Sequence, residues 1–310
     1  MRSRWSLVAV IALAIAVTGC DYIVPPADDS TPTPAVPSEG WGGFVTNVTD
    51  SGGSLHVDFS IVNNTGDWSA MNISSSTAKV TTTDGKTSDC ATVFAGTSVF
   101  VSGSGWYLPP GFSMKGYTSG TATAPTTQLL YVECAGVTKA NAAKVAISYS
   151  YVAGSFNYYV PSPIFKDTIN LDLSKVTADA KYPISKSVSS LKIAQVGEAI
   201  TGINQCTVTL TSATRTATGL EFAWASANPS QYPAYVHIGI PPVLGSDGIL
   251  YGPYQSPHLS DAPITLAGAS ASWKTEVAVP ATVTGLYVLT PVETQQQKFF
   301  VDHVIDITSI

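Results

Sequence analysis

From Gly42 onward, apolar residues recur at every second position along much of the chain. Leu55, Val57, Phe59 and Ile61 fall on one side of a stretch whose other side carries His56, Asp58 and Ser60. The same period appears in Val145, Ile147, Tyr149 and Tyr151, and again in Leu220, Phe222 and Trp224. Successive side chains of a strand point to opposite faces, so this period predicts strands with one face buried. The β-branched and aromatic residues at the apolar positions suit a pleated surface. No long segment has a convincing helical period. Turn signals punctuate the strands at Ser51-Gly52-Gly53, Asn64-Thr65-Gly66-Asp67, Asp84-Gly85, Pro109-Pro110-Gly111 and Ser246-Asp247-Gly248. Many short strands separated in this way predict an all-β chain built from sandwiches.

The N-terminus follows a different pattern. Met1-Arg2-Ser3-Arg4 is basic, Trp5 to Val17 is apolar, and Thr18 and Gly19 are small, the three parts of a secretory signal peptide. The apolar run is short of the roughly 20 residues a spanning helix needs. Val17-Thr18-Gly19-Cys20 resembles the lipobox of bacterial lipoproteins. That resemblance implies removal of residues 1–19, a diacylglyceryl group on Cys20, and acylation of the new N-terminus by a fatty acid such as palmitate. Two or three such chains bury methylenes at about 0.8 kcal/mol each. The expected location is therefore the cell membrane, lipid-anchored and facing the extracytoplasmic side. Asp21, next in the chain, resembles the signal that keeps enteric lipoproteins on the inner membrane.

Residues 20–41 comprise the lipidated cysteine and a proline-rich stretch, DYIVPPADDSTPTPAVPSEG. It cannot build a core, and in extended form it reaches up to roughly 60 Å. Residues 42–175 and 191–310 each carry the strand pattern of a β-sandwich domain. The polar segment 176–190 between them lacks alternation and is expected to be a linker. A weak internal echo links the two: Val45-Thr46 with Val208-Thr209, Asn63 with Asn228, and Asp84-Gly85 with Asp247-Gly248. Aligned on Val45 and Val208, the aspartates coincide but the asparagines differ by two positions. A duplicated sandwich explains the echo, and shared turn chemistry is the alternative.

Only 12% of the residues are charged, against about 25% in soluble globular proteins. The formal net charge of −6, with no cluster of Lys and Arg beyond the first residues, argues against nucleic-acid binding. If Cys20 carries lipid, Cys90, Cys134 and Cys206 remain, an odd number in an oxidising compartment. Cys90 and Cys134 share the first domain, so a bridge between them is the economical pairing. Cys206 shares a face with Val208 and Leu210 and is expected to be a buried, inert thiol.

The strand openings Val45-Thr46-Asn47-Val48 and Val208-Thr209, the strand end Ile61-Val62-Asn63-Asn64-Thr65-Gly66, the Asp84-Gly85, Asp247-Gly248 and Pro110-Gly111 turns, and the lead-in Val196-Gly197-Glu198-Ala199-Ile200 together resemble one family. It is that of the telokin-like, immunoglobulin-fold domains of bacterial extracytoplasmic lipoproteins, largely of unknown function. The resemblance implies two immunoglobulin-like sandwiches. The second half departs from it, since Pro229-Ser230 follows Asn228 where the family has Thr-Gly. A shared sandwich fold implies no particular activity.

Candidate chemistry is sparse. His56, His237, His258 and His303 form no metal-binding pair, and no HExxH, CxxC, GxSxG or calcium-loop pattern occurs. No metal site or cofactor is expected. His303 alternates with Val301, Ile305 and Ile307, the setting of a core-edge histidine. Asn47-Val-Thr, Asn63-Asn-Thr and Asn72-Ile-Ser match the glycosylation sequon by chance in a chain rich in Ser and Thr. Trp106, Tyr107, Tyr158 and Tyr254 lie beside turns, where an aromatic face can meet a sugar ring or a peptide. The expected function is a non-enzymatic binding or interaction module anchored in the membrane, with an envelope protein or glycan as partner. A carbohydrate or peptide receptor using those loop aromatics, and an envelope enzyme of unrecognised type, are the alternatives.

Overall fold

The alternation of residues 55–61 becomes a strand in which Leu55, Val57, Phe59 and Ile61 are fully buried and His56 and Asp58 face outward. Burying such side chains stabilises by about 1.5–3 kcal/mol each, which is what commits this stretch to one register. The computed structural model describes residues 39–90, 92–93, 108–121, 124–153, 164–178, 180–182, 191–202, 205–231, 234–235, 242–252, 264–283, 287–290 and 303–310. Among them every regular element is a strand.

The first half contains β1 (Trp41–Ser51), β2 (Ser54–Asn63), β3 (Ser69–Thr82), β4 (Thr87–Asp89), β5 (Thr92–Val93), β6 (Ser113–Met114), β7 (Gly116–Thr121), β8 (Ala124–Leu129), β9 (Tyr131–Ala135), β10 (Ala142–Ala153) and β11 (Ile164–Asp172). The second contains β12 (Ile193–Gln195), β13 (Ala199–Thr201), β14 (Thr207–Arg215), β15 (Leu220–Ala227), β16 (Ala234–Tyr235), β17 (Val243–Leu244), β18 (Ile249–Tyr251), β19 (Ile264–Thr265), β20 (Ser270–Val277), β21 (Tyr287–Thr290) and β22 (His303–Asp306). The β1–β2 turn has positive φ at Gly52 (59°) and Gly53 (85°), the backbone a tight two-residue hairpin needs.

Each half is a sandwich of two sheets, antiparallel within the half except where β12 pairs in parallel with β22, and the two halves repeat. In the first, β1-β2-β9-β5 faces β11-β10-β3-β4; in the second, β13-β14-β15-β20 faces a sheet containing β22-β21-β17-β18. Thus β1-β2-β9 corresponds to β14-β15-β20, and β11-β10-β3-β4 to β22-β21-β17-β18, in the same chain order. The correspondence extends to single residues. In the first hairpin a bulge follows the pair Val45–Phe59, and in the second it follows Leu210–Trp224. The buried asparagine then comes 18 residues after the first member of each pair (63 − 45 and 228 − 210). Val45 therefore corresponds to Leu210. The sequence echo, aligned on Val208, was displaced by two residues, and the asparagine mismatch disappears once the bulge sets the register.

Both asparagines do the same work. Asn63 Oδ1 accepts from the Thr65 N–H (3.0 Å) and hydroxyl (2.8 Å), while its Nδ2 donates to the carbonyls of Asp67 and Leu108 (2.7 Å each). Asn228 Oδ1 accepts from the Ser230 N–H (3.1 Å) and hydroxyl (2.7 Å), while its Nδ2 donates to the Thr265 carbonyl (3.0 Å). The Asn-x-Thr and Asn-x-Ser patterns close the chain reversal after β2 and β15. With its amide buried and both N–H bonds used, Asn63 is closed to modification.

The halves also share a sheet. β7 and β8 form a hairpin inserted into the first half between β5 and β9, and β7 pairs in parallel with β18, the edge strand of the second half. The result is a seven-stranded sheet, β12-β22-β21-β17-β18-β7-β8. One face of it, with Val243, Val288 and Ile305, packs inside the second sandwich, while Leu244, Leu250, Leu289 and Val304 join the core of the first. Burial on both faces explains why these strands read as unbroken apolar runs such as Ile249-Leu250-Tyr251 rather than as alternation. Residues 36–310 accordingly make one compact unit.

The Cys90–Cys134 disulfide is present. It sits where the chain leaves β4 in one sheet for β5 in the other and ties that crossover to β9.

Candidate functional site

The part of segment 176–190 that is described runs packed along the protein. Val176 bridges Val45, and the Thr177 N–H donates to the Val45 carbonyl (2.8 Å). Tyr182, the only aromatic in that polar segment, is wedged between the halves. Its hydroxyl makes a short hydrogen bond with Ser60 Oγ, and its ring stacks on Phe44 with centroids 6.3 Å apart. Ser60 alternates with His56 and Asp58 on the outward face of β2, yet it is fully buried because this tyrosine covers it. On the side of the second half the ring lies against Gly248, where a Cβ would stand 2.7 Å from three ring carbons. Burial, the largest cause, raises the Tyr182 phenol above its usual pKa, and the nearby Asp247 charge adds to this.

Below Tyr182 opens a cleft of about 230 Å³ with walls from both halves. Thr46, Asp58, Lys115, Leu129 and Leu130 come from the first half, Asp247 from the second, and Ala178, Ala180 and Tyr182 from the connection. The two carboxylates are held in place. Asp58 Oδ1 accepts from His56 Nε2 and Oδ2 from Asn47 Nδ2, both at 3.0 Å. Asp247 Oδ1 accepts from the Ile249 N–H (3.1 Å) and Oδ2 from the Tyr251 hydroxyl (2.7 Å). The Lys115 ammonium lies over the Tyr182 ring, 5.8 Å from its centroid, within the range of a cation–π contact.

His56 sits beside this cleft between two carboxylates, with Nε2 at 3.0 Å from Asp58 and Nδ1 at 3.3 Å from Glu133. Tyr131 stacks on its ring at 4.8 Å. A general base needs one ring nitrogen facing the proton it abstracts, and here a carboxylate occupies each. The geometry makes His56 a clamp that orients Asp58. Among the described residues no group of three or more His, Cys, Asp or Glu side chains is arranged to hold a metal ion.

The corresponding sheet face of the second half has different chemistry. Thr207, Thr209, Ala225, Ala227, Ser270 and Ser272 line a shallow trough without charge. Ala225 there occupies the place of Ser60. At the places of His56 and Asp58 stand Glu221, paired with Lys274 (2.8 Å), and Ala223, so the second half does not repeat the His56–Asp58 pair.

Of the residues singled out in the sequence, Cys20, Trp106, Tyr107, Tyr158 and Tyr254 lie outside the described residues, as do His237 and His258. Cys206 is a free, fully buried thiol whose S–H donates to Asn228 Oδ1 (3.1 Å), and burial raises its pKa. His303 is buried in β22, as its alternation with Ile305 and Ile307 predicted. The cleft residues Asp58, Lys115, Tyr182 and Asp247 were not candidates. Tyr182 alone left a readable signal, an isolated aromatic in a polar stretch, whereas Asp247 reads from sequence as an ordinary turn residue. No protein-family model and no curated protein matches the chain.

Proposed function

We propose that this protein is a lipid-anchored extracytoplasmic lipoprotein whose paired immunoglobulin-like sandwiches act as a non-enzymatic binding module, with the ligand seated in the cleft between them. The observation that carries this reading is the cleft itself, with a carboxylate from each half and a wall formed by the connection that joins them. Sites of this kind favour the seams between packed units, where concave walls form without opening a core. Asp58 and Asp247 each already accept two hydrogen bonds, which orients them before a ligand enters, as a preorganised site requires. The occupied nitrogens of His56 favour binding over proton transfer.

The anchor rests on the resemblance of Val17-Thr18-Gly19-Cys20 to a lipobox, and the proline-rich stretch that follows gives the binding module reach from the membrane. Partners in this reading are an envelope protein or a glycan. To test it, a photo-crosslinking residue at Ala180 is introduced into the protein expressed in its own envelope. A discrete adduct that disappears in a Tyr182→Ala background is the expected result; no adduct, or one unaffected by Tyr182, overturns the site. Mass spectrometry of the mature N-terminus tests the anchor separately, and a chain that starts elsewhere or carries an unmodified Cys20 refutes it.

A further inference from the structure

The cleft has a chemical character that narrows its ligand. Asp58 and Asp247 face it from opposite halves, and Lys115 is the cation on its wall. These three charges sum to one net negative, which a single positive charge neutralises. Tyr182 adds an aromatic face, and a carboxylate pair with an aromatic face is the combination that recognises organic cations. Leu129, 44% exposed, lies with Leu130, Ala178 and Ala180 along the remaining wall and offers apolar contact to an alkyl stem. The volume of about 230 Å³ is below the roughly 300–1,000 Å³ of pockets for drug-sized ligands, and it suits a group the size of a side chain.

Lys115 shows what the cleft accommodates. Its ammonium already lies over the Tyr182 ring, and among the described residues it makes no ion pair within 4.0 Å. An ammonium on a four-carbon stem, held among the described residues by a ring face and by no carboxylate, can swing out. An anion entering the same space would meet two fixed carboxylates. The formal charge of −6 on the whole chain further favours the approach of cations.

We propose that the cleft binds an alkylammonium or alkylguanidinium group, and that Lys115 occupies that position until the ligand displaces it. This rests on the reading of the cleft as a binding site and specifies its ligand. The same head group is carried by free amines and by lysine or arginine side chains of a partner protein, so the test includes both.

The experiment titrates the isotopically labelled full chain with butylammonium, butylguanidinium, butyrate and a short lysine-containing peptide, following backbone amide resonances. Saturable shifts at Lys115, Ala180, Tyr182 and Asp247 with the two cations, and none with butyrate, are expected. Lys115→Ala removes the internal competitor and a like charge, and should tighten butylammonium binding about tenfold. Asp247→Asn keeps an acceptor for the Ile249 N–H and should weaken it by a similar factor, with an unchanged melting temperature showing that the fold is intact; Asp58→Asn serves if that variant melts early. A tighter peptide than free amine assigns the source to a protein partner, and equal affinity assigns it to a small molecule. Shifts with butyrate, no shifts with either cation, or weaker binding in Lys115→Ala overturns the proposal. The crosslinking result at Ala180 stands apart from these outcomes, so loss of the cation assignment leaves the binding-module reading to its own test.

Discussion

Replacing Asn63 by alanine probes the feature that the two halves have in common. The change removes the 2.7 Å bonds to the carbonyls of Leu108 and Asp67 and the 3.0 Å bond from the Thr65 N–H. The bonds with Leu108 and the Thr65 N–H are buried, whereas that with Asp67 is only partly so and water can replace it. A buried polar group left without a partner costs about 1–3 kcal/mol, so two of them give a loss of about 4 kcal/mol. With a urea m-value of about 3 kcal/mol/M, the midpoint falls by about 1.3 M. Asn63→Asp keeps the acceptor for Thr65 but sets a carboxylate against two carbonyl oxygens, and should cost at least as much. Asn228→Ala loses one buried carbonyl partner and the Ser230 N–H, for about 3 kcal/mol. Asn64→Ala is the control: its Oδ1 is buried without a hydrogen-bond partner, and its removal should be neutral or stabilising. Tryptophan fluorescence in urea reads all four variants. If Asn63→Ala falls within about 1 kcal/mol of Asn64→Ala, the asparagine is not what closes the reversal.

Three further outcomes follow from the same geometry. Gly248→Ala sets a Cβ against the Tyr182 ring at a residue with φ of +80°, and should destabilise by about 1–3 kcal/mol; adding Tyr182→Ala should relieve the clash but not the backbone strain, and strictly additive losses in calorimetry would count against the wedge. Reducing Cys90–Cys134, which closes a sequence separation of 44 residues, should cost about 2–4 kcal/mol, whereas equal melting of reduced and oxidised protein rules out a stabilising role. Burial raises the phenol pKa of Tyr149 far above the usual value of about 10, and raises those of Tyr117, Tyr151, Tyr182 and Tyr287 in the same direction. Their contribution is complete below about pH 10 and is lost as pH climbs through the native values, because the unfolded chain sheds these protons first. Tyr149→Phe should lower stability at neutral pH by losing its bonds with Trp41 and flatten the alkaline decline; a slope as steep as that of the unmodified chain would refute the assignment.

Strand formation was readable because period-two burial is a local property: Leu55, Phe59, Val145, Ile147, Phe222 and Trp224 are all in the core. The cysteine pairing was readable because Cys90 and Cys134 fall in the same half of the chain. The cleft was not, because its lining residues come from a bulged hairpin, the lead-in and end of an inserted hairpin, a connection and a turn that are far apart in the chain. Asp58 and Asp247 are 189 positions apart (247 − 58), and no local pattern relates them.

The sequence by itself determined the class of the fold, the strands with one wet face, the turns that separate them and the buried state of Cys206. These follow from the alternation of side chains about each strand and from glycine at turns. Tertiary structure alone decided that the inserted β7–β8 hairpin would complete the edge of the second sandwich, that Tyr182 would cover Ser60, and that the bulges would align the repeat on Val45 and Leu210. The physical reason is that an open strand edge and an uncovered apolar face specify that something must pair or pack there, while the identity of the partner depends on which distant segment the assembled fold brings within reach.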